Sequence, residues 1–203
     1  MPNDIPTRTT PSFFNDVRQG MLTHNLQDRT QKSRQWLLQN LKNLKINQNI
    51  LLKDKDRFVK TIMLGKMYFF NYDPKLKEEL PFYDRFPLVI CIKKYSDGFL
   101  GLNLHYLPIR YRIMFLKKLY SLVNNDHFDE STKFKVTYNL LEGSARFKEF
   151  APCLKRYLTG HIKQKRVINI EPEMWEVALF LPIEKFAKQK ASVVQKLSVE
   201  SIN

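Results

Sequence analysis

Gly65-Lys-Met-Tyr-Phe-Phe-Asn-Tyr72 sets the reading of the whole chain. Its aromatic density points to a strand. Asp73-Pro74-Lys75 then opens a type I turn, with Asp first and Pro second. Leu80-Pro-Phe-Tyr-Asp84 is a second bend. Phe86 to Lys93 reads as a buried strand, and Ser96-Asp97-Gly98 closes a hairpin onto a third strand, Phe99 to His105. Gly65, Gly98 and Gly101 mark positions of close approach or positive φ. Residues 63–107 therefore predict a small antiparallel sheet, with closure towards a barrel left open.

Working outward, Pro108 starts a helix over Ile109 to Val123, because proline suits a first turn whose N–H is not needed. Ile113, Leu116, Leu119, Tyr120 and Val123 form its apolar stripe, and Asn124-Asn-Asp126 ends it. Residues 31–45 form an amphipathic helix with Trp36, Leu37, Leu41 and Leu44 on one face. Phe134, Val136 and Tyr138 alternate with polar residues as in a strand, although a helix running into Leu140 and Leu141 also fits. Helices are expected from Pro152 to about Ile162 and over 183–197, with a short strand at Val167 to Ile170. Glu173 to Leu181 is ambiguous. Residues 1–30 read as an N-terminal arm punctuated by Pro2, Pro6 and Pro11, with Ser12 capping a short helix that carries Phe13, Phe14, Val17 and Met21. Residues 31–203 then form a single α+β domain: a small antiparallel sheet packed with several amphipathic helices.

At 203 residues and 43% hydrophobic content, the chain can bury a real core. No run approaches the roughly 18 apolar residues of a membrane helix, and the first residues lack the apolar segment of a secretory signal. Cys91 and Cys153 have neither disulfide-framework nor zinc spacing, which fits synthesis in a reducing cytoplasm. The net charge is +14. Residues 109–166 hold 13 basic and 5 acidic side chains, whereas 61–108 hold 6 and 5. The excess is therefore local, and a local positive field favours a polyanion through counterion release. A wet, solubilising surface is the plain alternative.

The chain carries no HExxH, CxxC, GxSxG or phosphate-cradling glycine loop. His24, His105, His127 and His161 have no metal-ligand spacing, and His105 reads as a structural histidine. Asp73, Glu78, Glu79 and Asp84, with Lys75 and Lys77 between them, resemble the carboxylate cluster of a magnesium-dependent nuclease. Asp73 and Asp84 equally fit turn chemistry. No catalytic residue, metal or cofactor is assigned.

The strongest functional stretch is Lys155-Arg-Tyr-Leu-Thr-Gly-His-Ile-Lys-Gln-Lys-Arg166. Lys155, Arg156, Lys163, Lys165 and Arg166 are candidate phosphate contacts along one side of a groove. Arg110, Arg112, Lys117 and Lys118 form a second candidate set on the Ile109–Val123 helix. Such contacts neutralise phosphates without reading sequence. The competing explanation is cations gathered at the C-terminal end of a helix dipole.

Gly65-Lys-Met-Tyr-Phe-Phe-Asn-Tyr-Asp-Pro-Lys75, Leu80-Pro-Phe-Tyr-Asp-Arg-Phe-Pro-Leu88 and Gly98-Phe-Leu-Gly-Leu-Asn-Leu-His-Tyr-Leu-Pro108 together resemble a family of tailed-phage virion proteins. Phe134-Lys-Val-Thr-Tyr138, Lys155-Arg-Tyr-Leu158 and Trp175-Glu-Val-Ala-Leu-Phe-Leu-Pro182 extend the resemblance over about residues 33–190. Such proteins, from T-even-like myophages and marine phages, are labelled DNA end protectors. The resemblance implies a non-enzymatic head-completion component of the virion. It would bind ends of packaged double-stranded DNA and shield them from a host exonuclease. Partners would be double-stranded DNA and other head, neck or baseplate proteins, in a multi-copy assembly and away from membrane. A neck or baseplate protein making only protein contacts is the alternative, and the nuclease the remote one.

Overall fold

The computed structural model describes residues 13–41, 48–123, 137, 139–143 and 148–202. Five strands build one antiparallel sheet: β1 (Met67–Tyr72), β3 (Leu88–Lys94), β4 (Gly98–Asn103), β5 (Leu154–Leu158) and β6 (Ile162–Ile170). Their order is β5-β4-β3-β1-β6. Two further segments, β2 (Tyr83–Asp84) and β7 (Phe186–Ala187), pair separately. The chain is α+β, as the sequence predicts.

The two edge strands are consecutive in sequence, joined only by Thr159–His161. In a flat sheet these edges would stand roughly 19 Å apart. The link from Leu158 to Ile162 reaches only about 14 Å at full extension. The sheet must therefore curl. Tyr72 reaches across the gap, its hydroxyl accepting the Leu158 N–H at 3.1 Å. The described strands form no ladder between β5 and β6, so the curl does not close into a barrel.

Alternation along β1 fills both faces. Tyr68, Phe70 and Tyr72 point into the curl with Val89, Cys91, Phe99, Tyr157, Ile162 and Val167. There Tyr157 stands 5.3 Å from both Phe70 and Phe99, and 4.9 Å from Tyr72, between ring centroids. Met67 and Phe69 face the other way, into the larger core shared with the helices. Burial on both sides makes Met67 to Phe70 a continuous apolar and aromatic run, which is why this stretch was legible. At Gly101 a Cβ would collide with Val89 Cγ1, so only glycine leaves room inside the curl. Gly65 takes φ +73°.

On the helical side lie α1 (Phe13–Thr23), α2 (Gln31–Leu41), α3 (Gln48–Leu51), α4 (Ile109–Val123), α5 (Trp175–Phe180) and α6 (Ala191–Glu200). The α4 range is the predicted one. The Pro108 carbonyl accepts from the Tyr111 N–H at 2.9 Å and starts the helix. The apolar anchors of the expected arm dock on the body itself: Phe14, Val17 and Met21 of α1 lie in the main core. Ser12 and the proline-punctuated first residues lie outside the described residues, as do Leu44 and the strand expected over Phe134, Val136 and Tyr138. Residues 139–143 are helical, with Leu141 buried.

Two expected helices are corrected. Within residues 152–162, Pro152 and Cys153 end a 3-10 turn, Leu154–Leu158 is β5, Thr159–His161 a second 3-10 turn and Ile162 the start of β6, with Tyr157 and Ile162 buried inside the curl. Residues 183–197 do not form one helix. Phe186 and Ala187 pair with β2, and Lys188 takes a left-handed φ of +65°, which a continuous helix cannot contain. The Lys188 ammonium caps the turn opposite, donating to the carbonyls of Lys77, Glu78 and Leu80 at 2.9–3.0 Å. The helix starts only at Ala191.

Candidate nucleic-acid interface

The β1–β6 ladder slips where the basic run begins. Phe70 pairs with Val167, and Tyr72 pairs with Ile162. Two steps along β1 thus match five along β6, and Lys163-Gln164-Lys165-Arg166 bulge out of the edge strand. Ile162 and Val167 anchor the bulge by burying in the curl. Gln164 and Lys165 sit at φ +56° and +49°. Left-handed backbone costs a non-glycine residue about 1 kcal/mol or more. All four bulge residues are exposed.

The bulge forms one wall of a groove of about 490 Å³. Asn71 of β1 also lines it, with Asn49, Leu52 and Lys53 from α3 and the residues after it. Lys53 was not read from the sequence. Nothing in a linear pattern tells that residue 53 will face residues 163–166.

A chain of contacts links the bulge to the β3–β4 hairpin. Lys163 Nζ lies 3.6 Å from the Asp73 carboxylate, and the Asp73 N–H donates to the His161 carbonyl at 3.1 Å. Two residues earlier, the Thr159 N–H donates to the Asp97 carbonyl at 3.0 Å. Asp97 in turn ion-pairs with Arg156. Lys93 and Arg156 pair with the same residue, Leu100, from opposite sides, so they share a sheet face. Between them stands the exposed ring of Tyr95, with Arg156 Cζ 4.1 Å and Lys93 Nζ 5.6 Å from its centroid. Lys94 is also exposed. Lys94 pairs with Phe99 and so lies on the opposite face from Lys93. The belt of cations comprises Lys93, Arg156 and Lys163 along these contacts, with Lys165 and Arg166 following Lys163 in the bulge. Two acids within it, Asp73 and Asp97, are already paired. Burial alone would raise the Asp73 pKa, but Lys77 and Lys163 outweigh it and hold the carboxyl below its ordinary value.

The remaining predicted residues go elsewhere. Lys155 lies against the Tyr106 ring at 4.4 Å, and burial lowers its pKa. Arg112 is 1% exposed. It donates to the carbonyls of Leu107 at 2.7 Å, Leu179 at 3.2 Å and His105 at 3.4 Å, and pairs with Glu184 at 2.5 Å. A buried guanidinium has no surface to offer a polyanion, so Arg112 is a fold residue. Arg110, Lys117 and Lys118 are exposed along α4 but share no hydrogen bond or ion pair with the belt among the described residues.

The acidic cluster does not assemble. Asp84 is buried, accepting from the Phe86 N–H at 3.0 Å as an Asx turn, from Asn103 Nδ2 at 3.1 Å, and lying 2.8 Å from His105 Nδ1. Asp73 faces Lys77 and Lys163 instead. Among the described residues no three His, Cys, Asp or Glu side chains group as metal ligands. No described helix is long and apolar enough to cross a membrane.

A family model described as phage T4 terminal DNA protecting protein matches residues 8–200. The chain belongs to this family. No curated protein and no solved structure matches it. The terminal DNA protecting family match takes in the belt, the groove and the buried Arg112 alike. It reaches further at both ends than the stretch 33–190 that carries the sequence resemblance. It includes α1, in keeping with that helix being part of the body.

Proposed function

We propose that this protein covers the ends of packaged double-stranded DNA, holding backbone phosphates through the basic belt. The observation that carries this reading is the chain of contacts that runs from Lys93 and Arg156 at the hairpin to Lys163 at the head of the exposed bulge holding Lys165 and Arg166. Family membership supports the DNA end as the target. End protection needs phosphate binding and steric cover, and neither requires bond-making chemistry. The contacts come from sheet edges and a hairpin, and the exposed cations of α4 are a secondary surface. In this reading the protein is a non-enzymatic head-completion component of a myophage virion, present in several copies beside other virion proteins.

The test is a salt titration of binding to linear and circular duplex DNA, with an exonuclease challenge alongside. Removing one cation from a phosphate lowers the slope of log K against log salt by about 0.9. Replacing Lys163, Lys165 and Arg166 by alanine removes three cations and should flatten the slope by roughly 2.7. It should also expose linear ends to digestion. An unchanged affinity and slope would remove the belt from the mechanism. No binding by the wild type at low salt would turn the reading to a neck or baseplate subunit with protein contacts only.

A further inference from the structure

The groove beside the bulge has a shape and lining that phosphate neutralisation alone does not require. Its roughly 490 Å³ lies in the range of sites for one small organic ligand. A duplex turn cannot enter such a space, whereas one nucleotide can.

Three cations surround it: Lys53, Lys163 and Arg166. Lys163 is shared with Asp73. Lys53 and Arg166 have no carboxylate partner among the described residues. An internal phosphodiester brings one negative charge to such a site. A terminal phosphomonoester brings about 1.5 to 2 at neutral pH. The lining also holds three amides, Asn49, Asn71 and Gln164. An amide carries both donors and an acceptor, which suits the mixed edge of a base better than the uniform acceptors of a phosphate. Leu52, 6% exposed, gives the wall an apolar element against which a base face can rest. The left-handed backbone at Gln164 and Lys165 is kept at an energetic cost on an exposed edge. Its effect is to set Gln164 and Arg166 into the groove wall.

Building on the DNA-end reading, we propose that this groove takes the unpaired terminal nucleotide of one DNA strand together with its 5′-phosphate. The belt would then hold duplex phosphates of any position, and the groove would recognise the end.

The experiment compares three DNAs: a duplex hairpin whose open end leaves one unpaired nucleotide bearing a 5′-phosphate, the same hairpin with a 5′-hydroxyl on that nucleotide, and a dumbbell closed at both ends. The wild type should prefer the phosphorylated end over the hydroxyl end about tenfold, the size of one charge-assisted hydrogen bond. Lys53→Gln and Asn71→Leu lie outside the belt. They should reduce that preference below about twofold and leave dumbbell affinity unchanged. Equal wild-type affinity for all three DNAs would overturn the groove proposal and leave the belt standing. Failure to bind any of the three would overturn both. In a second measurement, deoxyadenosine 5′-monophosphate alone should shift the side-chain amide resonances of Asn71 and Gln164. Inorganic phosphate producing the same shifts would overturn the nucleotide assignment.

Discussion

Arg112→Met separates a fold residue from a DNA contact, and its cost can be worked from the geometry. Methionine fills most of the same space, so the cavity contribution is small and the cost is polar. The guanidinium ties the start of α4 to the carbonyls of Leu107, His105 and Leu179 and to Glu184. Removing one partner of a buried ion pair costs about 3–5 kcal/mol. Glu184 is 18% exposed, which puts this pair at the lower end, about 3 kcal/mol. The His105 carbonyl keeps a second donor, Gln195 Nε2 at 3.2 Å. The Leu107 and Leu179 carbonyls are left without the guanidinium, at about 1 kcal/mol each. The expected destabilisation is therefore about 5 kcal/mol, as large as the whole stability of many domains. Adding Glu184→Met removes the stranded carboxylate and should recover about half of it. Urea unfolding followed by circular dichroism measures both variants, with the midpoint falling and the slope unchanged. The reasoning is refuted if Arg112→Met is as stable as the wild type but binds DNA more weakly, because the guanidinium would then be reaching phosphate.

Gly98→Ala should destabilise the β4–β5 pairing by about 1–3 kcal/mol, because its Cβ would meet the Tyr157 carbonyl. Gly160→Ala, with nothing within 4 Å of its Cβ, should be close to neutral, and thermal melts of the two variants check both. Glu184 gives a pH dependence. Burial would raise its pKa, but Arg112 and then His105 outweigh it and hold the carboxyl below 4.5. The folded state therefore binds this proton less tightly than the unfolded chain does. The stabilisation is fully present above 4.5 and is lost as pH falls through the folded-state value. Glu184→Gln should flatten the melting temperature against pH in that acid range, and an unaltered profile would remove Glu184 as the source.

Residues 65–105 disclosed their structure because each strand is decided locally. Aromatic density and glycines at tight positions act within a few residues of themselves, whereas the turn after β1 closes on the Leu76 carbonyl rather than at Asp73-Pro74. The α4 helix was legible for the same reason, through Pro108 and a 3.6-residue apolar stripe. Asp84 and His105 also read correctly as structural groups, although their mutual contact spans 21 positions. The stretch 154–162 was misread because Lys155-Arg-Tyr-Leu158 has no local preference strong enough to choose. It is a strand because Gly98 to Leu102 offers an open edge more than fifty residues earlier. The 183–197 reading failed at Lys188, whose left-handed turn answers three carbonyls on a distant loop.

The sequence by itself determined the sheet nucleus, the amphipathic α4 helix, the local excess of positive charge and the family. It did so because strand alternation, helix periodicity, composition and short motifs are properties of neighbouring residues. Tertiary structure alone decided which cations face solvent. Arg112 and Lys117 stand five residues apart on one helix, and the fold buries the first and exposes the second. Lys53, Lys93 and Arg166 are far apart in the chain. The slip in the β1–β6 ladder sets Lys53 and Arg166 along one groove, and the β3–β4 hairpin sets Lys93 beside Tyr95 and Arg156, because side-chain direction and long-range pairing follow from packing.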